Sequence, residues 1–267
     1  MPETTSYNNT ELSVNVRYGE VGPNGFISLK SLANLLQEAA GQSADILGFG
    51  EQAMAAYGLT WVLARLILRI TRLPGAEQAL NILTWPAKLD RFGYRGYEVR
   101  DQANALLVSG GSAWAIMNLA TRRLAQPPAD LTVNYPQNLR PCEPFSCRTL
   151  PGLNPTAEQE SQVQWAKIIV RKDDLDINQH ANNANYLSWL LEPLPLNQKY
   201  PSVIDITFRA ECFPGNVLLS QCLLTPFDDT LNDKPAEQRI IHAIRRIDPV
   251  TGSMEEDVCR ALTIWPA

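Results

Sequence analysis

The chain has 267 residues, 45% of them apolar and 19% charged, with a formal net charge of −5, which suits one large or two ordinary domains with a real core. The mild negative charge, with no lysine or arginine stripe on one face, excludes bulk electrostatic binding of nucleic acid. The strongest apolar run, 58–73, is broken by Arg65, Arg69 and Arg72 and so predicts no membrane span.

Five cysteines without a CxxC pair argue against a disulfide scaffold or a structural zinc site, and Cys142 and Cys147 have the wrong spacing for a metal clamp. The opening MPETTSYNNTE has neither a basic-then-apolar signal pattern nor the arginine content of a transit peptide. A cytoplasmic protein is the expectation.

Residues 1 to about 10 are polar and expected to be poorly ordered. Leu12 to Tyr18 alternates as a strand, and Gly22-Pro-Asn-Gly25 reads as a turn. Leu29, Leu32, Ala33, Leu35, Leu36, Ala39 and Ala40 share one helical face, with an exit near Gly48. From 59 to 72 a strand is predicted, with Val62, Ala64, Leu66, Leu68 and Ile70 on its apolar face. Strands follow at Ala79 to Trp85, Tyr94 to Arg100 and Ala113 to Asn118. A helix followed by antiparallel strands gives an α+β unit, so a first domain is placed at 11–124. Residues 125–162 hold seven prolines without periodicity and read as a linker. A second domain is placed at 163–267.

The second domain repeats the first. Arg72-Leu-Pro-Gly with Pro86 matches Cys212-Phe-Pro-Gly with Pro226 at an offset of 140, and the apolar face of 64–70 falls on Ile204, Ile206, Phe208 and Ala210. Leu35 and Leu36 match Leu190 and Leu191 at a slightly larger offset. The positions matching Asp176 and His180 fall near Val21 and Gly25, and Glu211 matches Thr71. Only the second copy carries a polar constellation.

That constellation is Asp174 to Glu192. In an extended segment Asp176, Asn178 and His180 would project to one side, and Asn182 or Asn183 would cap a helix carrying Tyr186, Leu187, Leu190 and Leu191. Helix N-terminal amides favour developing negative charge. Glu211 would end a strand on its polar face with Asp205, Thr207 and Arg209, which puts a carboxylate near His180. Cys212 would continue the apolar face as a buried small hydrophobe, unless a bulge turned it toward His180 as a nucleophile. His242 has no polar neighbours that suggest chemistry and reads as structural. Trp61, Trp85, Trp114 and Trp189 read as core or pocket walls. Arg122 and Arg123 are a solvated face or a contact for an acidic partner.

The run Asp176-x-Asn178-x-His180-x-Asn182-Asn183-x-x-Tyr186-x-x-Trp189, with Arg209-x-Glu211-Cys212 after it, resembles the acyl-acyl-carrier-protein thioesterases of plant plastids and bacteria. So do Leu35-Leu36-Gln37-Glu38, Trp61-Val62, Trp85 and Trp114-x-x-Met117-Asn118-x-x-Thr121-Arg122-Arg123-Leu124. The resemblance covers nearly the whole chain. It implies tandem hot-dog domains, each a curved antiparallel sheet around a helix, and hydrolysis of the thioester joining a fatty acyl chain to carrier-protein phosphopantetheine. By position it assigns Asp176, Asn178, His180 and Glu211 to the catalytic set, with Cys212 matching a cysteine once taken as the nucleophile. Phe213-Pro214-Gly215-Asn216 departs from the charged residues often found there in plant members. The resemblance implies no metal or dissociable cofactor, acyl-carrier protein as the partner, an acyl pocket in the first domain and, without a transit peptide, a bacterial-type member. A homodimer is left open. The competing classes are a hot-dog acyl-CoA thioesterase or hydratase and a non-catalytic acyl-binding module.

Overall fold

A helix that buries one stripe, followed by strands that pair antiparallel, occurs twice. The structure, a computed structural model, describes residues 8–136, 139–195, 200–224 and 237–266. It divides into two compact units: the chain up to Ile27 with Ser31–Phe145, and Ser28–Lys30 with the chain from Ser146 onward. The expected disorder of the N-terminus falls mostly on residues 1–7, and Pro226 on 225–236, both outside the described residues.

The first unit holds β1 (Thr10–Asn15), α1 (Leu29–Ile46), α2 (Glu51–Ala56), β2 (Leu59–Ile70), β3 (Ala79–Leu89), β4 (Phe92–Asp101), β5 (Leu106–Asn118) and α3 (Ala129–Asn134). Its strands pair antiparallel in the order β1-β3-β4-β5-β2. Along α1 the residues at helical spacing from Leu29 to Ala40 are the buried ones, as an amphipathic helix requires.

Strict alternation fails in β2. Leu63 pairs with Trp114 and Arg65 with Ala113, leaving Ala64 as an extra residue. This bulge shifts the pattern by one. Leu63 is therefore buried before it and Leu66, Leu68 and Ile70 after it, whereas Val62 and Ala64 are only half-buried. β5 begins at Leu106, well before the expected Ala113, because Gly110 and Gly111 continue the ladder opposite Leu68 and Ile67.

The proline-rich stretch is not a loose linker. It carries α3 and then runs against β2 to β5. The Trp85 indole N–H donates to the carbonyls of Arg140 and Pro141 at 3.0 and 3.2 Å. The Arg140 guanidinium lies 3.8 Å from the indole centroid and pairs with Glu98. Arg69 pairs with Glu143, which also accepts from Ser109 at 2.9 Å. A Cβ at Gly96 would fall inside the Trp85 ring, so glycine there is what lets the indole lie flat.

The second unit holds β6 (Val163–Ile169), α4 (Asn183–Leu191), β7 (Val203–Phe208), β8 (Val217–Leu224), β9 (Glu237–Ile247) and β10 (Met254–Pro266). Its order is β6-β8-β9-β10-β7, the same path as in the first unit. Cys222, Ile240 and Trp265 form a core cluster against Leu191 and Leu224. His242 is fully buried within this unit. Its Nδ1–H donates to the Leu190 carbonyl at 3.1 Å and its Nε2 accepts from the Thr263 hydroxyl at 2.8 Å. Burial pushes its pKa down to about 4, so it is a neutral tie between α4 and the sheet.

Backbone hydrogen bonds fix the repeat more finely than sequence does. The Gly22 N–H donates to Phe26 O and the Asp176 N–H to His180 O, each at 2.8 Å, and Gly25 and Gln179 both take positive φ. The offset here is 154, so Asp176 and His180 correspond to Gly22 and Phe26, one residue beyond the expected positions. Farther on, the Glu77 N–H donates to Val16 O and the Gly215 N–H to Val170 O, again both with positive φ. The offset there is 138, not 140. The two Pro-Gly pairs are thus out of register by two, an even slip that kept the apolar faces matched. Buried Leu73, not Thr71, stands where Glu211 does.

Candidate active site

The loop before α4 is a tight turn, not an extended segment. Gln179 has φ 63°, and its N–H donates to Asp176 O at 3.0 Å. Asp176, Asn178 and His180 therefore do not share a face. The Asp176 carboxylate turns inward on its own loop and accepts from the Asn178 N–H at 2.9 Å and the His180 N–H at 3.4 Å. It shapes the backbone that carries the histidine, as an Asx turn does, rather than binding the imidazole. Asn178 is exposed at the turn. Asn182 is the helix cap and accepts from the Ala184 N–H at 2.9 Å, while Asn185 donates to Asp174 O at 2.7 Å. Both fix the loop to the first turn of α4.

The opposite wall is 209–216, where the chain has already left the sheet. β7 ends at Phe208, so Glu211 is not the last polar residue of a strand. The Ala181 N–H donates to Cys212 O at 2.8 Å and joins the two walls. Glu211 is thereby brought to His180, with Oε1 3.5 Å from Nδ1. That separation is within ion-pair reach and long for a hydrogen bond. Both side chains keep partial solvent access, 22% and 34%, so water can reach them.

Cys212 points the other way. It is fully buried, and burial pushes its thiol above the ordinary value, against the opposing pull of the Tyr186 hydroxyl and Arg246. A buried protonated thiol is a packing residue rather than an activated nucleophile. Tyr186 is also buried and donates to Ala210 O at 3.2 Å.

Two residues of the site escaped sequence reasoning. From β9, Arg246 donates from Nη2 to Glu211 O at 2.7 Å. Nothing in the sequence ties position 246 to 211. The ring of Phe213 stands edge-on to the His180 ring, with centroids 5.0 Å apart and planes at 87°. The sequence marked Phe213 only as part of a run, Phe213 to Asn216, that departs from the charged residues expected there. Among the described residues no cluster of His, Cys, Asp and Glu is arranged to hold a metal ion.

The model of the acyl-ACP thioesterase N-terminal domain matches residues 8–135, and that of the C-terminal domain matches 157–265. Oleoyl-acyl carrier protein thioesterase 1 of Arabidopsis thaliana, a chloroplastic protein, is 28% identical over 94% of this chain and 74% of its own length. The corresponding thioesterase of Coriandrum sativum is 32% identical over 76% of this chain. The match spans only 59% of the coriander protein. Among solved structures, a 12:0-ACP thioesterase from Umbellularia californica superposes with a TM-score of 0.78 at 25% identity, covering 97% of this chain and 95% of that one. The fold is the α+β tandem hot-dog expected from sequence.

Proposed function

Because this chain belongs to the acyl-ACP thioesterase family, we propose that it hydrolyses fatty acyl-acyl-carrier-protein thioesters at the His180–Glu211 pair. It is an acyl-[acyl-carrier-protein] hydrolase of fatty acid biosynthesis, releasing free fatty acid and carrier protein. The observation that supports this site is the 3.5 Å approach of Glu211 Oε1 to His180 Nδ1, across a link made by the Ala181–Cys212 backbone bond.

The chemistry follows from the side chains. Water, polarised by the pair, attacks the thioester carbonyl and gives its proton to the carboxylate or imidazole. The tetrahedral oxyanion collapses, the carbon–sulfur bond breaks, and the leaving thiolate takes that proton. Glu211 acting directly on the carbonyl, with water cleaving the resulting anhydride, balances equally and uses the same geometry. Asn178, exposed at the turn beside His180, is assigned the role of steadying the carbonyl or the water. Phosphopantetheine arrives on the substrate, and no further cofactor enters the proposed step. The acyl chain is assigned to the first unit, supported by the small buried residues Ala33 and Ala40 on the inward stripe of α1. A cytoplasmic setting is part of the reading, supported by the free buried thiols of Cys212, Cys222 and Cys259.

Thiol release from an acyl-carrier-protein substrate, with an enoyl thioester alongside, tests the function. One thiol released per acyl group consumed is expected. Turnover of the enoyl thioester without thiol release would make the chain a hydratase. Stoichiometric binding without release would make it an acyl-binding module.

A further inference from the structure

Glu211 Oε1 stands 3.5 Å from Nδ1 of His180, and the ring of Phe213 stands edge-on to the imidazole with centroids 5.0 Å apart. The Asp176 carboxylate accepts from the main-chain amides of Asn178 and His180 rather than from the imidazole. A 3.5 Å contact is too long for a hydrogen bond that would fix a ring's rotation by itself. Phe213, by contrast, is held on every side of its backbone. Its N–H donates to Asn216 Oδ1 at 2.9 Å, and its carbonyl accepts from the Asn216 N–H at 3.0 Å. Pro214 and Gly215, the latter at φ 81°, fill the turn as a proline and then a positive-φ glycine do in a type II turn. The turn is in turn bonded to Val170 through both Gly215 N–H and Val170 N–H. The backbone that carries the ring is thus fixed, while the side chain itself is 44% exposed and has its edge-on contact with His180.

We propose that Phe213 is a positioning residue for the His180–Glu211 pair: its ring stops the imidazole of His180 from turning, so that Nδ1 faces Glu211 and Nε2 faces the reacting water or thioester. This rests on the proposed site and adds the element that pre-organises it. Edge-on aromatic packing supplies directionality that a contact of the same area with an aliphatic chain would not. Pre-organisation of this kind acts on turnover rather than on binding.

The test compares Phe213→Ala, Phe213→Leu and Phe213→Tyr for kcat and KM on acyl-carrier-protein thioesters, with imidazole 15N spectra of each. The chain has two histidines, and His242, locked by two hydrogen bonds, is an internal reference. In Phe213→Ala, kcat should fall about tenfold with KM within about twofold, and Phe213→Tyr should restore it. The His180 nitrogen signals should broaden toward an average of tautomers while those of His242 stay unchanged. A rise in KM with kcat preserved, or His180 signals unaltered in both Phe213→Ala and Phe213→Leu, would overturn the proposal. Should the wild-type protein release no thiol at all, the function reading fails while the spectra still decide the role of Phe213.

Discussion

The two histidines of the chain sit in opposite environments, and each gives a distinct expectation. His180 is partly open to solvent beside a carboxylate. His242 is sealed between the end of α4 and β10, with both ring nitrogens occupied. With a folded pKa pushed from 6.5 to about 4, His242 resists protonation in the folded protein and accepts it in the unfolded chain. The unfolded state therefore binds more protons between those two values, and stability falls as pH drops through that window. The contribution is fully present above pH 6.5 and declines by up to about 3 kcal/mol by pH 4. Denaturant midpoints followed from pH 7 to pH 4 should show this fall, and His242→Gln should flatten it. A wild-type profile no steeper than that of the variant would show that His242 is not the titrating group.

At the scale of elements, the site depends on two short turns rather than on strand ends. Gly215 holds φ 81° with open space around its α-carbon, so Gly215→Ala meets strain without a clash. The cost expected is about 1–2 kcal/mol, with kcat reduced because the same turn carries Phe213 and Cys212. Unchanged melting and turnover would contradict the account of that turn. Along α1, replacing Ala33 by a larger apolar residue should shift hydrolysis toward shorter acyl chains. An unaltered chain-length profile would remove the acyl chain from the first unit. These elements were legible in the sequence to differing degrees. The stripe of α1 and the cap at Asn182 could be read because helical spacing and capping chemistry are local. The bulge at Ala64 could not, since an extra residue shows only in pairing with β5. The turn at Asp176–Gln179 was missed because positive φ at a glutamine, φ 63°, has no side-chain signature. The expected nearness of Glu211 to His180 is present at 3.5 Å, although β7 ends three residues earlier. Arg246 was out of reach because its bond to Glu211 O spans 35 residues.

At the scale of the whole molecule, two units with the same strand path carry different chemistry. The first has Gly22, Phe26 and Leu73 where the second has Asp176, His180 and Glu211, so a single polar site results from a duplicated plan. The chain bears a net charge of −5, so an acidic carrier protein needs a local basic contact. Arg122 and Arg123, exposed in the turn after β5, are the candidates for that contact. Reversing both charges should raise KM for acyl-carrier-protein substrates several-fold, more at low salt, and leave KM for a small thioester unchanged. Equal effects on both substrates would place those arginines outside the docking surface. The most direct test of the central claim is thiol release from matched acyl-carrier-protein and acyl-CoA thioesters by the wild type, Glu211→Gln and Cys212→Ala. The account predicts preference for the carrier-protein substrate, a loss of about a hundredfold or more in kcat for Glu211→Gln, and Cys212→Ala within about threefold of wild type. Turnover abolished by Cys212→Ala in a folded protein, with Glu211→Gln active, would contradict it.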